Sequence, residues 1–203
     1  MILLASASPR RKALLALLVN DFDVLATNID ETPLKNESPS VYVQRMAVEK
    51  AKSAWSTVKS DVSLTQKTTV IIASDTSVVI DDMILGKPDS FQDAQTMLTK
   101  LSGRSHEVIT SICIINCHTN TVLTENVVTE VKFRSISMQE IEQYWLTGEP
   151  VDKAGSYAAQ GIGAIFIEKI KGSFSAVVGL PMFETAQLLQ QVGITPLQEM
   201  SCE

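Results

Sequence analysis

Residues 68–88 read TTVIIASDTSVVIDDMILGKP, and this stretch sets the class of the fold. Val70 to Ala73 form a short, largely β-branched apolar run with no polar residue on either alternate position, the pattern of a strand covered on both faces. Such strands belong to sheets with helices packed on each side, so the expectation is an α/β protein. The run gives way to polar residues at Ser74, which predicts that the strand ends there and places Asp75 at its carboxyl end, where open α/β sheets hold their ligands. Two aspartates between "VVI" and "MIL" predict a hairpin turn at 81–82.

Upstream, residues 1–5 read as a buried strand running straight into "SPRRKALLALL". Ser8 is a good N-cap and Pro9 a good first helical residue, which predicts a helix over 9–19 with Leu14, Leu15, Leu17 and Leu18 on its apolar side. Arg10 and Arg11 then put two cations in the first turn, against the macrodipole, at a cost on the order of 0.3–1 kcal/mol each. That arrangement suits an anion, because forked guanidinium donors and helix-start N–H groups together bind phosphate oxygens. A second short strand near 22–26 leads to the polar loop "TNIDETP", where Asp30 and Glu31 offer further carboxylates. Ser38 and Pro39 open a longer helix to about Val58, and 59–68 reads as a polar surface connection.

Downstream, Ser90 and Asp93 open a helix over 91–101, and two long strands follow at 106–117 and 121–133. Ser137 and Glu140 make a capping-box pattern for a helix to about 147. Then come the glycine-rich turn "AAQGIGAIF", a strand to Ile170, and a last helix after Pro181. Lys87 is presented by the Gly86–Pro88 turn, Lys50 lies on the helix after Pro39, and Gln160 precedes the glycine turn as a neutral amide suited to a base edge.

The 203 residues are enough for one good-sized α/β domain or two small lobes sharing one interior. A net charge of −6, with 45% hydrophobic and 20% charged residues, argues against a general nucleic-acid binder and for an ordinary globular chain. No run approaches about 18 apolar residues, so no membrane span is expected. Cys113, Cys117 and Cys202 cannot all pair within one chain, which with the lack of a secretory pattern points to the cytoplasm. Cys113, Cys117 and His118 lack a second cysteine pair, so no zinc site is expected. Neither a P-loop nor a full G-x-G-x-x-G is present, and His106 and His118 have no hydrolase-triad context.

Taken together, "LLASASPRRKALL", "IDETP", "RMAVEKA", "SDTSVVIDDMILGKP", "LSGRSHEVIT" and "DKAGSYAAQGIGAIFIEKIKGSFSAVVGLPM" resemble, in order and spacing, the Maf proteins, nucleoside triphosphate pyrophosphatases. The resemblance runs from Ile2 to about Leu189. It implies a single Maf-like α/β domain over 1–203, an elongated mixed sheet flanked by helices with two lobes around a central cleft, often found as a homodimer. It also implies hydrolysis of a nucleoside triphosphate between the α and β phosphates with Mg²⁺ or Mn²⁺. By the motifs they match, Ser8, Arg10 and Arg11 would bind the triphosphate. Glu31 and Asp75 would serve the metal and the attacking water, with Asp75 as proton acceptor, and Lys50 and Lys87 would complete the charge neutralisation. Arg10, Thr76 and Gln160 match the branch similar to dTTP/UTP pyrophosphatases, where the branch acting on 7-methyl-GTP typically carries Trp, Gln and Glu. The family's usual "ADT" reads "SDT" here, with Ser74 in place of alanine. A nucleotide-sensing regulator of septum formation is the alternative, and the intact carboxylates at 31 and 75 favour the enzyme.

Overall fold

The computed structural model describes residues 1–196; Cys202 lies outside the described residues. Among the described residues seven strands form one mixed sheet, in the order β2 (Phe22–Val24), β1 (Ile2–Leu4), β3 (Val70–Ile80), β5 (Ser105–Asn116), β6 (Thr121–Phe133) and β7 (Ile167–Lys171), with β4 (Met83–Leu85) paired to β3. Helices α1 (Pro9–Leu15), α2 (Pro39–Ser60), α3 (Val62–Lys67), α4 (Phe91–Leu101), α5 (Met138–Leu146), α6 (Phe174–Val178) and α7 (Met182–Gln191) complete the mixed α/β fold. Among the described residues no helix is long and apolar enough to cross a membrane. The chain divides into two compact units: one of residues 1–75, 110–126 and 179 onward, the other of 76–109 and 127–178.

The first unit is built on the alternation expected of doubly covered strands. Ile2 and Leu4, Val70 and Ile72, Ile112 and Ile114 point to one face, where they meet Leu15 and Leu18 from the region of α1 and Leu188 and Leu189 from α7. Leu3, Ala5, Ile71, Ala73, Cys113 and Ile115 point to the other face. There α2 packs Ala47, Ala51, Ala54 and Val58, small residues at helical spacing that let the helix lie close on the sheet. β1 runs parallel to both β2 and β3, with Ile2 opposite Phe22 and Val70. The full burial of this strand pair is what the apolar run 70–73 predicted.

Several expectations are corrected. β3 does not end at Ala73 but continues to Ile80, so Asp75 sits inside a strand. β3 pairs with β1 through Val70–Ile72 and with β4 through Val78–Ile80, and Asp75 lies between those two paired stretches. α1 stops at Leu15, not 19, and Leu17 is exposed. Ser38 makes no side-chain cap, although Pro39 does begin α2. The polar stretch 59–68 contains α3, which Asp61 starts by accepting from Ser63 N and Leu64 N at 2.8 and 3.2 Å. The hairpin is as predicted: Asp81 and Asp82 take φ of 50° and 58°, the left-handed pair that a tight two-residue turn demands.

The second unit has an aromatic core. Phe133 is fully buried, with its ring edge-on to His106 at 4.9 Å and Tyr157 at 4.7 Å. His106 Nε2 meets the Tyr157 hydroxyl at 2.8 Å, while its Nδ1 has no hydrogen-bond partner in the structure. Burial pushes the imidazole down to about 4 from 6.5, so it stays neutral in the folded protein where an unfolded chain would take up a proton. The unfolded state therefore binds more protons between these values, and stability falls as pH drops from about 6.5 to about 4. Thermal unfolding across that window should show this loss in the parent and much less of it in His106→Phe; equal slopes in both would contradict it.

Candidate active site

Three charged side chains of the first unit converge on one point. Lys50 Nζ lies 2.6 Å from Asp75 Oδ1 and 2.7 Å from Glu31 Oε1. The Lys50 and Asp75 side chains are each 12% exposed and Glu31 is 52% exposed, so the pair on β3 and α2 is the dry half of the cluster and Glu31 its solvent-facing half. A mid-strand aspartate is tolerable here because the ammonium meets it at hydrogen-bonding distance; without such a partner a buried carboxylate is costly.

Glu31 sits in the loop between β2 and α2, where the sequence places it. Two residues of α2 that the motif reading missed hold that loop. The Tyr42 hydroxyl donates to the Glu31 carbonyl at 2.9 Å, and Arg45 donates through Nη2 to the Thr32 carbonyl at 3.1 Å. Arg45 also grips Glu37 with Nε and Nη2, each at 2.7 Å, which holds the Glu37 carboxyl down at about 2. Burial, then the nearby Asp75 and Glu31 carboxylates, push the Tyr42 phenol up to about 12. A signal existed: Tyr42 and Lys50 lie eight residues apart, close to one face of the same helix.

At the β1–α1 turn Ser8 is the N-cap, accepting from Arg11 N at 3.4 Å, and its own N–H donates to Ser6 Oγ at 3.2 Å. Arg11 is not splayed into solvent. Its Nε donates to the Gly179 carbonyl at 2.9 Å and Nη1 to Ser6 Oγ at 3.4 Å. Burial lowers its pKa, with Asp75 and Glu31 opposing and Arg10 adding to the fall, yet a guanidinium remains charged. Arg10 is half-buried beside it. The seven residues of α1 start from a turn whose Arg11 stands within electrostatic reach of the Asp75 and Glu31 carboxylates.

Ser74, the departure from the family pattern, donates to the same Gly179 carbonyl at 2.9 Å. Because Arg11 keeps that carbonyl satisfied, Ser74→Ala should cost only about 0.5–1.5 kcal/mol, the net worth of one hydrogen bond. Denaturant unfolding of the variant measures it, and a loss several times larger would mean that Ser74 does more than share an acceptor.

The donor set can be tested against a divalent cation. Two carboxylates meeting at one point are hard oxygen ligands of the kind Mg²⁺ and Mn²⁺ prefer. Among the described residues no group of three or more His, Cys, Asp or Glu that could hold a metal ion is gathered, and the point where Asp75 and Glu31 meet is the Lys50 ammonium. Carboxylate oxygens suit Mg²⁺ and Mn²⁺ in kind, and an ion held by these two would take its remaining oxygens from water and substrate.

Lys87, Thr76 and Gln160 belong to the second unit. Lys87 is exposed just after β4, Thr76 follows Asp75 on β3 and is half-buried, and Gln160 is exposed at the start of the turn that leads into a 3-10 helix, Ile162–Phe166.

The sequence matches the family described as "Maf-like protein" over residues 1–192. It is 46% identical over 190 residues to a dTTP/UTP pyrophosphatase of Vibrio parahaemolyticus, covering 94% of this chain and 96% of that one. The corresponding Aliivibrio fischeri protein is 48% identical over 190 residues (94% and 97% covered), and that of Pseudoalteromonas atlantica 46% over 197 residues (96% and 98% covered), both named dTTP/UTP pyrophosphatase. A chain from the structure of the Staphylococcus aureus Ham1 protein aligns at a TM-score of 0.49 and 13% identity over 98% of this chain and 92% of that one, a likeness too slight to bear on chemistry. With a family match over nearly its whole length and relatives at 46–48% identity over most of the chain, this chain belongs to the Maf family.

Proposed function

We propose that this protein hydrolyses dTTP and UTP to the nucleoside monophosphate and pyrophosphate. The observation that carries the reading is the meeting of Lys50 with both Asp75 and Glu31, because it places a proton acceptor beside a cation at one point. The relatives named dTTP/UTP pyrophosphatase, at 46–48% identity over 94–96% of this chain, support the substrate class.

In this reading Asp75 orients a water and takes its proton as the water oxygen bonds to the α phosphorus; the bond from that phosphorus to the bridging oxygen breaks and pyrophosphate leaves with the electron pair. Lys50 holds the carboxylate in place and neutralises charge that would otherwise repel the triphosphate. Ser8, Arg10 and Arg11 hold phosphate oxygens, and Arg11, anchored on Gly179 and Ser6, does so without losing rotamer freedom on binding. Glu31 and Asp75 would hold Mg²⁺ or Mn²⁺, which when bound offsets the charge of the phosphates. Lys87, Thr76 and Gln160 are assigned by the motifs they match, Lys87 to phosphate and the other two to the base. Turnover rather than sensing is favoured by the pair of carboxylates, which a pure sensor of triphosphates would not need. The homodimer that the resemblance implies is part of the same reading and is checked by sedimentation of the purified chain.

Product analysis tests the reaction. Incubation of dTTP with the protein and Mg²⁺ should yield dTMP and pyrophosphate in equal amounts. Formation of dTDP and phosphate would refute cleavage at the α–β bond, and binding without products would favour the sensor.

A further inference from the structure

The glycine turn after Gln160 is held by an anion supplied by the protein itself. Glu149 Oε2 accepts from Ile162 N at 2.8 Å, and Oε1 accepts from Gly163 N at 2.8 Å and from the Tyr144 hydroxyl at 2.7 Å. That hydroxyl in turn accepts from Ala158 N at 3.1 Å, so the two side chains bind the backbone on both sides of Gln160. The fit is tight: a Cβ on Gly163 would lie 2.5 Å from the Tyr144 hydroxyl and 2.8 Å from the Ala158 carbonyl oxygen, and one on Gly161 would collide with the Glu149 carboxylate. Burial alone would raise the Glu149 carboxyl, but the hydrogen bonds from Tyr144, Gly163 and Ile162 outweigh it and hold it below its usual range.

This arrangement has a chemical consequence. Glycine turns that open helices bind phosphate through their free N–H groups. Here the N–H groups of Ile162 and Gly163 are already satisfied by a carboxylate, which would also repel a phosphate. Gln160, a neutral amide that both donates and accepts, is exposed at the start of the turn beside the exposed Gly161 and Ile162.

We propose that Glu149 and Tyr144 are positioning residues for pyrimidine selectivity: they close the 161–163 turn to phosphate and fix the backbone from which Gln160 reads the base. The proposal rests on the assignment of Gln160 to the base made above. Fixing that backbone before substrate arrives spares the ordering cost on binding, so its loss should appear mainly in KM and in the choice among bases.

The test compares the parent with Glu149→Gln, Tyr144→Phe and Gln160→Ala. Each is assayed for kcat and KM with dTTP, UTP and CTP, for inhibition by inorganic tripolyphosphate, and for amide exchange at Ile162 and Gly163. In Glu149→Gln, whose amide N–H would face backbone donors, KM for dTTP should rise about tenfold, the scale of a slightly misplaced contact, with kcat changed less than about threefold. The preference for dTTP over CTP should fall, both amides should exchange faster, and tripolyphosphate should inhibit more strongly, because the Ile162 and Gly163 N–H groups no longer face a carboxylate; unchanged inhibition overturns the closure of the turn to phosphate. Tyr144→Phe should move the same quantities less, and it carries the test if Glu149→Gln does not fold. Unchanged amide exchange, or faster exchange with unaltered KM and base preference, overturns the proposal. If Gln160→Ala lowers the preference and Glu149→Gln does not, the clamp is wrong and Gln160 stands. If Glu149→Gln lowers it and Gln160→Ala does not, the clamp stands and another group on the turn reads the base. If neither lowers it, both assignments fall.

Discussion

Asp75→Asn is expected to lower kcat for dTTP by about 100-fold or more, within the 10²–10⁴ that a positioned general base contributes. The substitution keeps the size of the side chain and its place on β3, but an amide does not take a proton from water at neutral pH. It also leaves Lys50, only 12% exposed, with one carboxylate partner instead of two. Two readouts separate these effects. Loss of the base lowers kcat with the fold intact, so near-parental thermal stability with a depressed kcat supports the assignment. A rate within a few-fold of the parent would remove Asp75 from the chemistry, and a collapse of stability with the residual rate per folded molecule unchanged would make it structural.

Phe133→Ala should destabilise the protein by about 3–5 kcal/mol, the range for emptying a large aromatic site in a close-packed core. Phe133 is fully buried, has edge contacts with His106 and Tyr157, and packs against Phe166 at 6.2 Å between ring centroids. Loss of those edge contacts adds about 0.5–1.5 kcal/mol per pair to the loss of buried area. The void would also adjoin the unpartnered Nδ1 of His106, giving water a polar group to bind. The variant should therefore unfold at lower denaturant and show less acid sensitivity between pH 6.5 and 4 than the parent. A loss under about 1 kcal/mol would mean that neighbouring side chains close the space, as cores that relax well can do.

The apolar runs carried the fold: 2–5, 70–73 and 112–115 alternate between two buried faces because helices cover both. What they did not show was the length of β3. Ser74, Asp75 and Ser77 look like the end of a strand, yet all three are buried, and their burial depends on distant partners such as Lys50 and the Gly179 carbonyl. Hydrogen bonds from 25 and 105 positions away leave no trace in local periodicity. The same holds for the site. Asp75, Glu31 and Lys50 were legible through their motifs, while Tyr42 and Glu149 act by holding backbone outside the quoted motifs, and Arg45, though it opens "RMAVEKA", acts through the Thr32 carbonyl and Glu37, contacts the motif does not reveal. Leu17 illustrates the opposite error, since an apolar residue at helical spacing is exposed once α1 ends at Leu15.

This Maf protein is expected to turn over pyrimidine triphosphates at the Lys50 cluster. The most direct measurement is pyrophosphate release, as kcat/KM with Mg²⁺ or Mn²⁺, across dTTP, UTP, CTP, GTP, 5-methyl-UTP and 7-methyl-GTP. dTTP and UTP should lead the panel, and Asp75→Asn should suppress both together. A preference for 7-methyl-GTP, or turnover of dTTP that survives Asp75→Asn, would contradict it.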